Sequence, residues 1–298
     1  MRPIVECIPN FSEGRRPEVV EAIAEAIRGL EGVRLLDYSA DQNHNRSVFT
    51  FLGGPQAVLE AAFAACKVAT KLIDMTVHKG EHPRMGAADV IPLVPVKDIG
   101  IEECVQLSRE LGERIASELK IPVFLYEESA TRPERKGLPN IRRGQFEGMA
   151  AKIKEPEWAP DFGQAEIHPT AGAVAVGARA PLIAYNINLD TPDIEIANKI
   201  ARLIRERGGG LKNVRAIGVM LEDRRLAQVS INMINYEQTA LYRAFEMVKY
   251  EARRYGVNIV GSEIIGLTPM KALIDVAEYY LQLEGFEASK QILENHLL

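Results

Sequence analysis

The stretch 182-LIAYNINL-189 decides the fold, because there the pattern of the chain starts over. The run reads as a strand, and from Ala180 the order of elements begins again. Thr191 is suited to cap a helix that Pro192 starts and that extends to about Arg207, where the triple glycine 208–210 stops it. Strands are expected next at 214-VRAIGVML-221 and 226-LAQVSINMI-234, with Glu222-Asp223 at the turn. A long helix over 237-EQTALYRAFEMVKYEARRY-255 and a strand at 257-VNIVGSEI-264 complete a βαββαβ order, with helices at about 269–282 and 287–296 after it.

The same order is legible upstream. A short strand at 3–8 precedes a helix from Pro17 to Leu30, whose Val19, Val20, Ile23, Ala26, Ile27 and Leu30 form one apolar stripe. Strands at 33-VRLLDY-38 and 47-SVFTFL-52 flank the polar loop 39-SADQNHNR-46, and an alanine-rich helix runs from Pro55 to about Ile73. A strand at 88-ADVIPLVPV-96 closes this first repeat, and a helix at 101–119 and a strand at 123–128 are added to it. The expected architecture is an α/β (α+β sandwich) chain of two ferredoxin-like βαββαβ subdomains, 1–179 and 180–298. Each has helices packed on one face of a mixed sheet, with a ligand cleft between the two. The segment 130–170 is too long for an ordinary connector; it is expected to cross between the units and carries the single tryptophan, Trp158.

Composition narrows the function. A net charge of −5 argues against nucleic acid as the main partner, since phosphate backbones need concentrated cations. No apolar stretch is long enough to span a bilayer, and the N-terminus does not read as a signal peptide. The three cysteines, Cys7, Cys66 and Cys104, stand apart among apolar neighbours, as buried thiols of a cytoplasmic protein would.

The chemistry concentrates in 78-HKGEHPRMGAADV-90, which holds two of the five histidines in a loop broken by glycine and proline. His78 and His82 have the spacing of a zinc helix motif. Gly80 and Pro83 break any helix there, and no third ligand lies nearby, so no metal is expected. A structural role for both imidazoles competes with an acid/base role for one of them. His82 is the preferred acid/base group because the glycine and proline around it restrict its positions. Lys79, Gly80 and Arg84 belong to the same loop. Asn10 sits in a polar bend after the first strand, and His44, Asn45 and Arg46 stand at a strand entrance where an arginine fork suits a carboxylate. His44 is equally readable as an exposed strand cap, and the bend at Asn10 as a helix-capping loop. Arg142 and Arg143 are further candidate clamps, and Arg84 has an alternative role in pairing with Asp89.

With these residues laid out, the chain resembles the formiminotransferase family. The matching segments are 6-ECIPNFSEG-14, 45-NRSVFTFLG-53, 73-IDMTVHKGEHPRMGAADVIPLVPV-96, 121-IPVFLYEESA-130, 158-WAPDFG-163, 185-YNINL-189, 226-LAQVSIN-232 and 261-GSEIIGLTPMKAL-273. The resemblance implies transfer of a formimidoyl group from N-formimidoyl-L-glutamate to N5 of tetrahydrofolate, with His82 as the catalytic histidine. It implies two α/β subdomains with folate between them, a homodimer, and no cyclodeaminase domain, so that a separate cyclodeaminase chain is an alternative partner. The family's folate loop falls on Gly163, Gln164, Ala165, Glu166, Ile167, His168, Pro169, Thr170, Ala171 and Gly172. Ala171 stands where animal relatives carry a tryptophan and His168 where they carry an apolar residue, which admits a modified pterin as acceptor. Competing readings are an N-formylglutamate-dependent formyltransferase, a 5-formyltetrahydrofolate-processing enzyme, and a folate-binding protein without turnover.

Overall fold

The computed structural model describes residues 3–296, which divide into two compact units at Arg179/Ala180. In the first, β1 (Ile4–Cys7) and β2 (Asn10–Phe11) lie in line, interrupted at Ile8-Pro9, where proline offers no N–H to a ladder. Both pair antiparallel with β4 (Arg46–Gly53) on one side and β5 (Ala88–Lys97) on the other. β3 (Val33–Asp41) pairs with the far edge of β4. Two parallel strands extend the sheet beyond β5: β7 (Val174–Ala178), then β6 (Val123–Glu127).

In the second unit β8 (Ile183–Leu189), β9 (Val214–Leu221), β10 (Leu226–Met233) and β11 (Ile259–Ile265) form a sheet in the order β11-β8-β10-β9. The same order, β5-β1/β2-β4-β3, runs through the core of the first sheet. Every ladder of the second sheet is antiparallel, which corrects the expectation of two mixed sheets. Mixed character belongs to the first sheet alone, because only there do further crossovers lay down parallel strands.

Helices α1 (Pro17–Arg28), α2 (Pro55–Leu72) and α3 (Ile101–Arg114, continued by a π-helical turn) cover one face of the first sheet. Buried Ala61, Ala62, Ala65 and Ala69 on α2 let it pack close to its neighbours. Strand residues alternate between two cores: Val123, Val174 and Val176 join the α1–α3 side, whereas Phe124, Tyr126, Ala173 and Ala175 join a second cluster with Ile141, Met149 and Ile153. That second cluster is built by α4 (Leu138–Arg142) and α5 (Gln145–Lys152), so the segment 130–170 belongs to the first unit as a cover on its other face. Arg135 anchors it: wholly buried, it pairs with Asp161 at 2.8 Å and donates to the carbonyls of Glu157 and Ala159. The expectation of a crossing connector is therefore corrected; its apolar residues at 138, 141, 149 and 153 had a surface to bury.

In the second unit α6 (Ile194–Ile204), α7 (Leu241–Arg254) and α8 (Met270–Leu281) follow the strands in the expected places. Asp193, not Thr191, caps α6 by accepting from the Glu195 N–H, while Thr191 accepts from the Asp193 N–H two residues earlier. Of the helix expected at 287–296, Ala288–Gln291 is α-helical.

Candidate active site

Four loops of the first unit meet at the end of the sheet where β4 begins. The β3–β4 connection is a four-residue turn, 42–45, which places Asn45 in the left-handed region at φ 47°. Asn45 is buried, and its amide ties three loops together. Its Oδ1 accepts from Gly14 N at 3.0 Å, and its Nδ2 donates to the Lys79 carbonyl at 2.9 Å. Its own carbonyl meets His78 Nε2 at 3.0 Å. Gly80 lies so close to this turn that a Cβ would stand 2.3 Å from the His44 carbonyl oxygen. Asn45 and Gly80 thus shape the site, with the Asn45 amide committed to backbone.

The two histidines have different surroundings. His78 bonds at both ring nitrogens: Nε2 donates to Asn45, and Nδ1 accepts from Arg84 Nε at 3.2 Å. Burial lowers its basicity, so this neutral tautomer is the one the contacts select. His82 is half-buried, and its buried Nδ1 has no partner among the described residues. It lines a narrow crevice with Phe11, Ser12, His44, Asn45, Arg46, His78, Arg84 and Asp89. Burial first, then the guanidinium groups of Arg46 and Arg142, push its pKa down to about 3. The imidazole is therefore neutral, and a weaker base than a free one for as long as that field acts on it.

The arginines divide in the same way. Arg84 is buried and all five of its N–H donors are taken: two acceptors on His78, one on Gln145 and both carboxylate oxygens of Glu147. It pins the loop and has no donor left for a substrate. Its partner is Glu147, not Asp89, which corrects the alternative pairing. Asp89 is buried against Arg142 and accepts from Met85 N at 2.9 Å. Arg46 is mostly buried, donates to Asn10 Oδ1, and has no carboxylate within ion-pair distance among the described residues. Burial, with Arg142 nearby, lowers its pKa to about 10. Two of the seven buried side-chain polar atoms without a protein partner among the described residues, Arg46 Nε and His82 Nδ1, belong to side chains that line this crevice.

Other expected site residues are placed as follows. Asn10 is buried, holding Arg46 with Oδ1 while Nδ2 donates to the Ile8 carbonyl. His44 is exposed on the crevice rim, 3.1 Å from Asp41, its ring centroid 6.3 Å from that of His82. The Lys79 side chain and Arg143 are exposed, and neither lines the crevice. The segment 163–172 closes on itself through mutual backbone bonds of His168 and Gly172. There His168 Nδ1 accepts from the N–H groups of Thr170 and Ala171. Its Thr170 and Ala171 carbonyls accept from Met75 and Ala87, so this turn and the histidine loop are bonded directly. Ala171 and Gly172 are buried, whereas Gly163, Gln164, Ala165, Glu166 and Pro169 are exposed. Sequence reading missed Gln145 and Glu147, distant partners of Arg84 on α5 that no local motif marks.

Among the described residues no three His, Cys, Asp or Glu side chains are gathered as a metal ion requires, and no helix is long and apolar enough to cross a membrane. The N-terminal subdomain model of the formiminotransferase domain matches residues 4–179, and the formiminotransferase domain model matches residues 184–296. The chain belongs to the formiminotransferase family. The glutamate formimidoyltransferase of Streptococcus pyogenes serotype M1 is 62% identical over 298 residues, all of both chains. That of Thermoplasma acidophilum is 51% identical over 99% of this chain and 97% of its own. The formimidoyltransferase-cyclodeaminase of Mus musculus is 48% identical over 95% of this formiminotransferase chain, which spans 53% of the mouse protein.

Proposed function

We propose that this protein transfers the formimidoyl group of N-formimidoyl-L-glutamate to N5 of tetrahydrofolate, with His82 as the proton carrier. The observation that carries the reading is a neutral imidazole whose buried Nδ1 has no partner among the described residues, beside an arginine that has no carboxylate of its own among them. The N5 lone pair adds to the formimidoyl carbon, and the C=N electrons move onto the terminal nitrogen. His82 takes the N5 proton and delivers it to the glutamate nitrogen. The bond from carbon to that nitrogen then breaks, the C=N bond re-forms, and L-glutamate leaves as an amine. Without that proton it would have to leave as a far poorer amide anion.

Arg46 is the proposed anchor of a donor carboxylate, held in place by Asn10; a guanidinium matches a carboxylate in two-pronged fashion. A carboxylate at Arg46 also cancels part of the field that lowers the basicity of His82, so the base strengthens when the donor binds. His44 on the rim, the exposed Lys79 side chain and the exposed part of the 163–172 turn are assigned to the outer portions of the substrates, folate among them.

Purified protein assayed with N-formimidoyl- and N-formylglutamate, each against tetrahydrofolate and a panel of modified pterins, tests the reading. Formimidoyl transfer to tetrahydrofolate is expected; transfer from the formyl donor alone, or folate binding without turnover, would replace it. Three cysteines, all buried and unpaired, fit a reducing compartment, and this supports the cytoplasm as the proposed location. A homodimer is proposed on the apolar residues exposed along and beside α8, including Leu267, Met270, Leu273, Tyr279 and Leu281. A separate cyclodeaminase chain is a partner that co-purification would reveal.

A further inference from the structure

The turn 42–45 brings a second imidazole to the His82 crevice. His44 lines it, with its ring centroid 6.3 Å from that of His82, so a nitrogen held against one ring is within reach of the other. The His44 side chain is exposed, yet the backbone that carries it is held on several sides. Its N–H donates to Asp41 Oδ1 at 2.8 Å, and its carbonyl lies against Gly80. Arg15 Nε donates to the Gln42 carbonyl at 2.8 Å, and the Glu81 N–H to the Asn43 carbonyl at 3.3 Å. Asn45, the next residue, is buried. A ring on such a turn meets solvent without being free to wander.

Asp41 holds the ring as well as the backbone. Its Oδ2 stands 3.1 Å from His44 Nδ1. A carboxylate there accepts the Nδ1 proton, which leaves Nε2 as the atom that can take up and release one. Nε2 has no partner among the described residues. The His44 N–H in turn holds the Asp41 carboxyl below its usual range, so the ring faces a carboxylate. The other charged or titratable groups around the pair are His82 on the histidine loop and Arg46 at the start of β4. Arg15 and Glu81 are bonded to the flanking turn residues.

The transfer assigned to His82 moves one proton from N5 to the glutamate nitrogen, so glutamate separates as a neutral amine. That amine keeps a lone pair able to attack the new amidine and reverse the step. Its stable form near neutral pH is the ammonium, which needs one proton more than His82 supplies. We infer that His44, held by Asp41, delivers this second proton from solvent to the departing amine. The Nε2–H bond of the imidazolium breaks and an N–H bond forms on the glutamate nitrogen. Glutamate then leaves as an ammonium, and neutral His44 recovers a proton from bulk solvent at the rim. Asp41 is the counter-charge of the imidazolium. The inference rests on the formimidoyl-transfer reading and goes beyond the outer substrate contact assigned to His44 there, because it gives that contact a proton to carry.

The test compares H44Q, H44A and D41N with the wild type, all at exposed positions where substitution should leave folding intact. H44Q keeps a polar side chain that can bond to a substrate but cannot carry a proton, and H44A opens the position to free imidazole. Turnover should fall about 10²-fold in both, the lower end of what acid–base help contributes. Directly measured Kd values for tetrahydrofolate and N-formimidoyl-L-glutamate should stay within a few-fold. Free imidazole should restore H44A turnover in proportion to its concentration, a response that neither a structural nor a binding role would give. D41N should lose turnover in the same direction by a smaller factor. Near-normal turnover in H44Q, a loss confined to KM, or H44A turnover that imidazole does not raise would overturn the inference while the wild type's formimidoyl transfer stands. A wild type that transfers no formimidoyl group would instead sink the transferase reading, and this one with it.

Discussion

The two units make the same hairpin and use it differently. β3 and β4 are joined by the turn 42–45, and β9 and β10 by 222–225; each turn ends in a residue with positive φ, Asn45 at 47° and Arg225 at 51°. In the second unit all four turn residues are exposed. In the first, Asn45 is buried at a junction of loops and Arg46 turns inward beside His82. The connection after the second crossover helix differs more. It runs from 73 to 87 in the first unit, carrying both loop histidines, and only from 255 to 258 in the second. One folding plan thus serves twice, and the proposed proton chemistry resides where a single connection has been lengthened and stitched to its neighbours.

The sharpest way to break this comparison is to remove the imidazole. H82N should lower turnover about 10²–10⁴-fold while tetrahydrofolate affinity stays within a few-fold; near-normal turnover would move the chemistry elsewhere. The two buried arginines should then separate cleanly. R46M is expected to weaken donor binding about 10–100-fold with little loss of stability, since Arg46 has no ion-pair partner among the described residues to abandon. R84M should cost about 2 kcal/mol in a denaturant titration, discounted because Glu147 regains water. If instead R84M alone raised the donor KM, the clamp and the pin would have to be exchanged.

The matching turns offer a smaller contrast. N45A leaves the Gly14 N–H and Lys79 carbonyl without their partner and should destabilise by about 1–3 kcal/mol. R225G relieves a left-handed residue in an exposed turn and should be neutral or stabilising by about 1 kcal/mol. The least effect concerns pH. The folded His82 titrates near 3, below its ordinary 6.5, so between those values the unfolded chain binds more protons and this group's share of stability falls as pH is lowered. Ring titration by NMR should show no His82 midpoint near 6.5 in the free protein, and an upward shift when the donor is added; H82N should flatten the acid side of the stability curve.

Much of this was legible from residue order. The repeat of βαββαβ followed from period-two runs bounded by glycine, proline and polar turns, and the His82 loop stood out because two scarce histidines share a glycine-broken stretch. The assignment of Arg84 was not legible: its partners on α5 lie about sixty positions away, and nothing near 147 announces that a carboxylate there reaches back. The fate of 130–170 was hidden for a related reason. Its apolar residues are too widely spaced to read as a regular helix face, and they acquire meaning only against Phe124 and Tyr126. Asp89 and Arg142 were each noticed, but their mutual pairing depends on a fold that brings α4 over β5.

The backbone cross-tie at Gly86 and Gly172 has a consequence for motion. A methyl group at either position would lie within about 2.3 Å of a carbonyl oxygen, so the two strands of this tie touch with no side chain between them. Ala87 and Ala173 complete it with bonds of 2.9 and 3.1 Å. A segment fastened by main chain alone does not swing as a flap, and its amide hydrogens at 87 and 173 should exchange with deuterium as slowly as those of the adjoining sheet. The C-terminal end of the histidine loop is therefore held by main chain before any reactant arrives.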